Sequence, residues 1–275
     1  MAKKVFVIDI AKCNGCHSCQ IVCKDEHVAN DWTPIAKPQP EVGQFWIELT
    51  ERVRGTVPKV KVAYRPHLCM HCDKAPCMTS CTVPGALYQR DDGLVIIDPV
   101  KCTGCKSCVD ACPYDAIFFN DGLNIAQKCT GCAHLLDQGW TEPRCADACP
   151  TLAIKLMDED EARAQGLLDA AAAWRPERKD ELQPRVYYLN LPKKFIAGTV
   201  YDPVEKEVLI GAVCTLSAEG GERYEIQTDS YGDFWFEGLE DGVYDLELKH
   251  GDQIVSFAGL DTAERDINLG DIPLS

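Results

Sequence analysis

Sixteen of the seventeen cysteines in this 275-residue chain fall into four groups of four, and that pattern constrains the fold more than any other feature. Cys13, Cys16, Cys19 and Cys23 are spaced C-x2-C-x2-C-x3-C; Cys102, Cys105, Cys108 and Cys112 repeat the spacing and run into Pro113. Cys69, Cys72, Cys77 and Cys81 read C-x2-C-x4-C-x3-C, whereas Cys129, Cys132, Cys145 and Cys149 read C-x2-C-x12-C-x3-C and run into Pro150. Cys214 stands apart among apolar neighbours, which reads as a buried, inert thiol.

Three chemistries use cysteines in such groups. A disulfide framework suits small domains in an oxidising compartment. This chain is long enough to build its own core, and the apolar stretch after Met1-Ala2-Lys3-Lys4 is too short and too soon followed by Cys13 to be an export signal. The expected location is therefore the cytoplasm, with co-export alongside a signal-bearing partner left open. Zinc sites use two C-x2-C pairs, and the fourth group alone would pass for one. Iron–sulfur chemistry explains more: three close thiolates wrap one face of a cubane, while a fourth, three residues on, points to another cluster. Cys102 to Pro113 matches that bacterial pattern residue for residue. Four [4Fe–4S] clusters are the expectation.

Short apolar segments frame the groups. Val5 to Asp9, Leu94 to Pro99 and Leu123 to Lys128 precede the first, third and fourth groups, and Ala86 to Arg90, Ala116 to Asn120 and Leu152 to Leu156 follow the second, third and fourth. Each reads as a short strand, with hairpin turns at Asp92-Gly93 and Asp121-Gly122. Strand, loop, short helix and strand is a ferredoxin half-unit, so four of them make two modules. Adjacency alone leaves the pairing undecided. A first strand at Val5 and a last at Leu152 could flank one module, which favours joining group one to four and two to three.

With all sixteen cysteines, His67-Leu68-Cys69-Met70-His71-Cys72-Asp73-Lys74-Ala75-Pro76-Cys77 and Gln127-Lys128-Cys129-Thr130-Gly131-Cys132-Ala133-His134, residues 3–156 resemble the four-cluster iron–sulfur subunits of the dimethyl sulfoxide reductase molybdopterin superfamily. That resemblance implies nested ligation. Cluster one would take Cys13, Cys16, Cys19 and Cys149, and cluster two Cys69, Cys72, Cys77 and Cys112. Cluster three would take Cys102, Cys105, Cys108 and Cys81, and cluster four Cys129, Cys132, Cys145 and Cys23. It also implies a large catalytic partner that alone carries the Mo- or W-pterin, and an external electron carrier. Phe45-Trp46-Ile47-Glu48, Arg52-Val53-Arg54-Gly55-Thr56, Gln183 to Leu191 and an appended β domain narrow the resemblance to the small subunits of pyrogallol–phloroglucinol transhydroxylase and related phenol hydroxylases and dehydroxylases. The transhydroxylase subunit lacks one of the four clusters, whereas this chain keeps four complete sets. That difference favours a relative that moves electrons in or out, such as a phenol hydroxylase or a dehydroxylase, over a largely structural subunit of a net non-redox transhydroxylase; the electron-transfer subunit of another reductase of the superfamily stays open as an alternative.

The expected fold class is α+β: two pseudo-symmetric ferredoxin-like modules over residues 1–156, with an insertion at 24–68, and a C-terminal all-β sandwich over 195–275. Residues 157–194 read as a connector with an acidic helix from Asp158 to Trp174, stopped by Pro176. From Phe195 onward, period-two strands are expected at 196–201, 212–217, 224–228, 233–237, 242–249 and 253–258. The segment from Asp229 to Leu239 with Gly242-Val243-Tyr244 resembles transthyretin-like or Ig-like adhesin repeats, which implies a fold and not a function.

Net charge is −15, placed unevenly: residues 1–150 hold 16 basic against 17 acidic side chains, and 151–275 hold 12 against 26. Such a surface does not suit nucleic acid or an anionic membrane. The longest apolar run, Val208 to Leu216, is far short of the ~18 residues of a membrane span. No nucleophile–base constellation or phosphate-binding glycine loop is present, so the chain is expected to be non-catalytic by itself. His17, His71 and His134 read as supporting neighbours of the cysteines, not ligands, and Tyr114 and Trp140 as water-excluding side chains.

Overall fold

The computed structural model describes residues 2–170 and 179–275. They form two compact units, one of Met1–Glu51 with Tyr64–Leu191 and one of Arg52–Ala63 with Pro192–Ser275. No helix among the described residues is long and apolar enough to cross a membrane.

In the first unit, β1 (Lys4–Asp9) is the middle strand of a three-stranded sheet, and Val5, Phe6, Val7 and Ile8 are all buried because both its faces are covered. Each such side chain contributes about 2 kcal/mol. Helix α1 (Ser18–Val28) carries Cys19 and Cys23 on its buried side. A long hairpin follows, β2 (Ile47–Thr56) and β3 (Lys59–Leu68), inside the stretch read only as an insertion; its outer part belongs to the second unit. After α2 (Pro76–Ser80), two short hairpins frame the middle cysteine groups. They are β4 (Leu87–Gln89) with β5 (Val95–Ile97), and, beyond α3 (Ser107–Asp110), β6 (Ile117–Asn120) with β7 (Ile125–Lys128). Gly93 turns the first hairpin at φ +86. The second turns through the expected Asp121-Gly122, but over four residues and not two. Its loop spans residues 121–124, Asn124 takes the left-handed conformation at φ 54, and Asn120 Oδ1 caps Leu123 N at 3.1 Å. Asparagine tolerates that conformation through its short polar side chain.

Helices α4 (Ala133–Asp137) and α5 (Arg144–Asp147) carry the last group and lead to β8 (Ile154–Asp158), which pairs antiparallel with β1, Val5 opposite Met157. The single helix expected from Asp158 is two: α6 (Glu159–Ala164) and α7 (Leu167–Ala170), broken at Gly166 in the left-handed region at φ +68. Residues 171–174 of that expected helix, and Pro176, lie outside the described residues. Val5, Val7, Ala162, Leu168 and Leu189 form a small core on one face of the sheet. Residues 157–194 also hold a strand, β9 (Val186–Leu189), which joins β1 in parallel with Phe6 opposite Val186.

Arg185, just before β9, clamps three segments. Its guanidinium holds Asp73 at 2.7 and 2.6 Å, Glu159 at 2.9 Å and the Lys4 carbonyl at 3.4 Å, with its side chain 5 % exposed. Burial alone would push the Asp73 carboxyl up, but Arg185 and then Gln89 hold it below its ordinary value. Glu159 is likewise held down by Arg185 against its burial. Arg185→Met leaves two half-buried carboxylates facing each other and should cost about 3 kcal/mol in chemical denaturation at neutral pH. Because both folded-state pKa values are depressed, this contribution is full above the ordinary carboxylate range and fades as pH falls through the folded values, so wild type and variant should converge in acid.

In the second unit, β10 (Lys194–Asp202), β11 (Glu207–Val208), β14 (Asp233–Leu239) and β17 (Ile267–Pro273) make one sheet. The other comprises β12 (Val213–Ala218), β13 (Arg223–Gln227), β15 (Val243–His250) and β16 (Gln253–Asp261). Ile196, Val200, Phe234, Phe236 and Ile272 from the first share one core with Cys214, Leu216, Tyr244, Leu246 and Leu248 from the second. Along β15 these alternate with exposed Asp245, Glu247 and Lys249, so this strand turns its charge outward. Cys214 is fully buried, and burial pushes its thiol up to about 12.

Candidate functional site

Three of the four cysteine groups begin with the same turn, Cys13-Asn14-Gly15-Cys16, Cys102-Thr103-Gly104-Cys105 and Cys129-Thr130-Gly131-Cys132. All three glycines have positive φ. A Cβ on Gly104 would stand 2.5 Å from the Asn124 carbonyl, and one on Gly131 2.9 Å from Leu94, so glycine is needed for both conformation and space.

The folded chain brings together cysteines far apart in sequence. Cys81 lines a cavity with Cys102, Cys105 and Cys108. Cys23 lines another with Cys129, Cys132 and Cys145, and Cys112 a third with Cys69, Cys72 and Cys77. Cys149 lies close enough to Cys13 and Cys19 to push both thiols up, after the larger effect of burial. In each case three sulfurs come from one group and the fourth from another. Among the described residues no three His, Cys, Asp or Glu side chains converge to hold a single ion. A zinc site, in contrast, draws four thiolates to about 2.3 Å from one point. Sulfurs spread around a common cavity fit a polynuclear iron–sulfur group.

Burial sets the thiol electrostatics. It raises Cys77 and Cys132 to about 12 and Cys108 and Cys129 to about 11, with neighbouring thiols adding to the shift. Such thiols are protonated at neutral pH and surrender protons as metal binds. Two depart from the trend. Cys105 is lowered by the backbone N–H and then the hydroxyl of Ser107, and Cys149, despite burial, by backbone N–H groups of Ile154, Ala153 and Thr151 and the Thr151 hydroxyl.

A family model described as a 4Fe–4S dicluster domain matches residues 60–159, and one described as a 4Fe–4S binding domain matches residues 10–28. The pyrogallol hydroxytransferase small subunit of Pelobacter acidigallici is 38 % identical over 256 residues, 90 % of this chain and 91 % of that protein. A tetrathionate reductase subunit of Salmonella typhimurium is 36 % identical over 197 residues, 70 % of this chain and 74 % of that one. The arsenate respiratory reductase iron–sulfur subunit of a Shewanella species is 30 % identical over 235 residues, 67 % and 95 %. The chain belongs to the iron–sulfur subunits of molybdopterin oxidoreductases. It is an electron-transfer subunit whose cofactors are [4Fe–4S] clusters.

In this iron–sulfur subunit the four cysteine sets follow one another in a row. Cys19 neighbours Cys23 and Cys145, Cys129 neighbours Cys69, and Cys77 neighbours Cys108. The sets containing Cys16 and Cys105 are the ends, and those two thiols are exposed. The two inner sets are more deeply enclosed.

The histidines divide. His17 is exposed, 3.3 Å from Gln20. His134 meets Glu26 at 3.0 Å and stacks on Trp32, and His27, pushed down to about 3 by burial and then by His134, lines the Cys23 cavity. His71 is fully buried in the wall of the Cys69 cavity. Tyr114 lines that cavity too, but Trp140 is 43 % exposed and lies over Arg144, so it shields none of the three cavities. Its place in the loop after Gly139, which turns at φ 94, carries it outward. Sequence reading missed Trp46, buried on the wall of the Cys23 cavity with Nε1 unpartnered, and Lys128, which is 2 % exposed. Lys128 Nζ donates to the Val95 and Cys129 carbonyls. Its position beside a cysteine carried no sign of burial.

Proposed function

We propose that the chain holds four [4Fe–4S] clusters on the nested sets Cys13/Cys16/Cys19/Cys149, Cys69/Cys72/Cys77/Cys112, Cys102/Cys105/Cys108/Cys81 and Cys129/Cys132/Cys145/Cys23. On this reading residues 1–156 are two pseudo-symmetric ferredoxin-like modules and 195–275 a β-sandwich for docking. The chain passes electrons to or from a large molybdopterin subunit acting on a small phenolic substrate. The observation that carries the reading is the sharing of cavities by three cysteines of one group and one of another. Each cluster, when bound, takes up and gives back one electron. The chain's own work is to fix the row, bury its middle and leave an edge exposed at each end. The phenolic substrate class follows from the pyrogallol hydroxytransferase relative.

Four complete cysteine sets predict about sixteen iron and sixteen acid-labile sulfide per chain, since each cubane holds about four of each. A value near twelve on metal analysis would leave one set empty, and zinc in place of iron would end the reading. A scaffold role is tested in the same preparation: clusters that no substrate of the intact complex ever reduces or oxidises would make the chain a structural subunit.

A further inference from the structure

The second cysteine group breaks the turn pattern of the other three. Where they place Gly15, Gly104 and Gly131, Cys69-Met70-His71-Cys72 places His71, at φ 45. The backbone task is the same: His71 N–H points at Cys69 Sγ at 3.5 Å, as Gly131 N–H does at Cys129 Sγ at 3.4 Å. Glycine adopts this conformation freely and a histidine is strained in it, so the turn itself does not call for an imidazole.

The ring is 1 % exposed. Its Nδ1 accepts the backbone N–H of Val95 at 3.0 Å, so the neutral ring carries its proton on Nε2. Nε2 finds no acceptor among the described residues, yet the side chain lines the cavity shared by Cys69, Cys72, Cys77 and Cys112. Buried N–H groups are almost always satisfied, and Cys69, Cys72, Cys77 and Cys112 all put sulfurs on that wall.

We propose that His71 donates its Nε2–H to a sulfur of the cluster held by Cys69, Cys72, Cys77 and Cys112 and thereby raises that cluster's reduction potential. This rests on the reading that those thiolates hold a [4Fe–4S] cluster. Enclosure of an inner set opposes the negative charge gained on reduction, and a hydrogen bond to sulfur offsets it because the bond strengthens as sulfur gains charge. Val95 fixes the arrangement from both sides, its N–H on His71 and its carbonyl on the buried Lys128 ammonium. His71 is a positioning residue in the electron relay.

The test is a redox titration, followed by EPR, of the full chain carrying its clusters. His71→Asn keeps an acceptor for Val95 N–H, tolerates the left-handed turn and, its amide being shorter than the ring, withdraws the donor from the place of Nε2. One cluster should move to lower potential, with the others and the iron content unchanged. His71→Gln, whose side-chain amide can reach the place of Nε2, should return that potential toward wild type. Trp46→Phe, which removes an N–H from the neighbouring cavity wall, should leave it in place. A full complement of iron with every potential unmoved in His71→Asn would overturn the proposal. Where that variant loses iron, the unsubstituted chain decides: isotope-labelled histidine nitrogen should couple weakly to the reduced cluster whose signal Cys112→Ala removes, and no coupling overturns the proposal. Failure of the unsubstituted chain to hold iron on this set would instead overturn the ligation reading beneath it.

Discussion

Cys149→Ala is expected to abolish the cluster of Cys13, Cys16 and Cys19, and Cys23→Ala that of Cys129, Cys132 and Cys145, each with a loss of about four iron atoms. The sequence offers no local reason for this, since 130 residues separate Cys19 from Cys149. The fold does. Antiparallel pairing of β1 with β8 brings the end of the last group back to the loop of the first, where Cys149 neighbours both Cys13 and Cys19. Helix α1 carries Cys23 the other way, beside Cys129 and Cys132. Iron analysis and EPR of the two variants should show different clusters missing. If Cys149→Ala and Cys129→Ala erase the same signal, the nested ligation is wrong. The variants also differ in consequence: Cys23→Ala removes an inner member of the row, so both exposed ends should stay reducible while electron exchange between catalytic partner and external carrier falls to background.

What the sequence made legible followed from short-range regularity. Apolar runs beside each cysteine group mark β1, β4 through β8 because strands this short are written almost entirely in their own residues. Period-two alternation likewise marks β10, β12 to β16. The β2–β3 hairpin, passed over as an insertion, carries the same alternation in Lys59-Val60-Lys61-Val62, whereas two other missed strands lack it. β17 contains Gly270 and Pro273 and reads as turn, yet pairs along β10 as an edge strand. β9 is four residues long and acquires its meaning from β1 beside it. At the site, thiol identity was readable from spacing, whereas the groups that tune it were not. Lys128 and Arg185 look like solvent-facing charges until packing encloses them, and the unusual backbone of His71 is visible only against the glycines of the other three turns.

Cutting the chain after Leu191 should leave the iron content unchanged but expose residues 52–63 to protease. All sixteen cysteines of the four sets precede residue 150, and none lies in the second unit. The outer part of the β2–β3 hairpin belongs to that unit and draws its partners from it. Lys59 pairs with Asp233, and Lys61 lies 4.8 Å from the centre of the Trp235 ring. Arg54 meets Asp266 at 3.2 Å, and Asn268 donates to the Thr56 carbonyl at 2.9 Å. With 192–275 removed, what remains is a two-stranded ribbon, which is at best marginally stable in water. Limited proteolysis should then cut within 52–63, where the full chain resists. Trimming 52–63 as well, with a short turn joining 51 to 64, should restore resistance with the clusters still in place. Iron lost from that doubly trimmed chain would show that the second unit sustains the cluster-binding fold and is not an appended docking module. Undiminished turnover with the physiological carrier, at undiminished affinity for the catalytic partner, would reject the docking role while leaving the division of the chain intact.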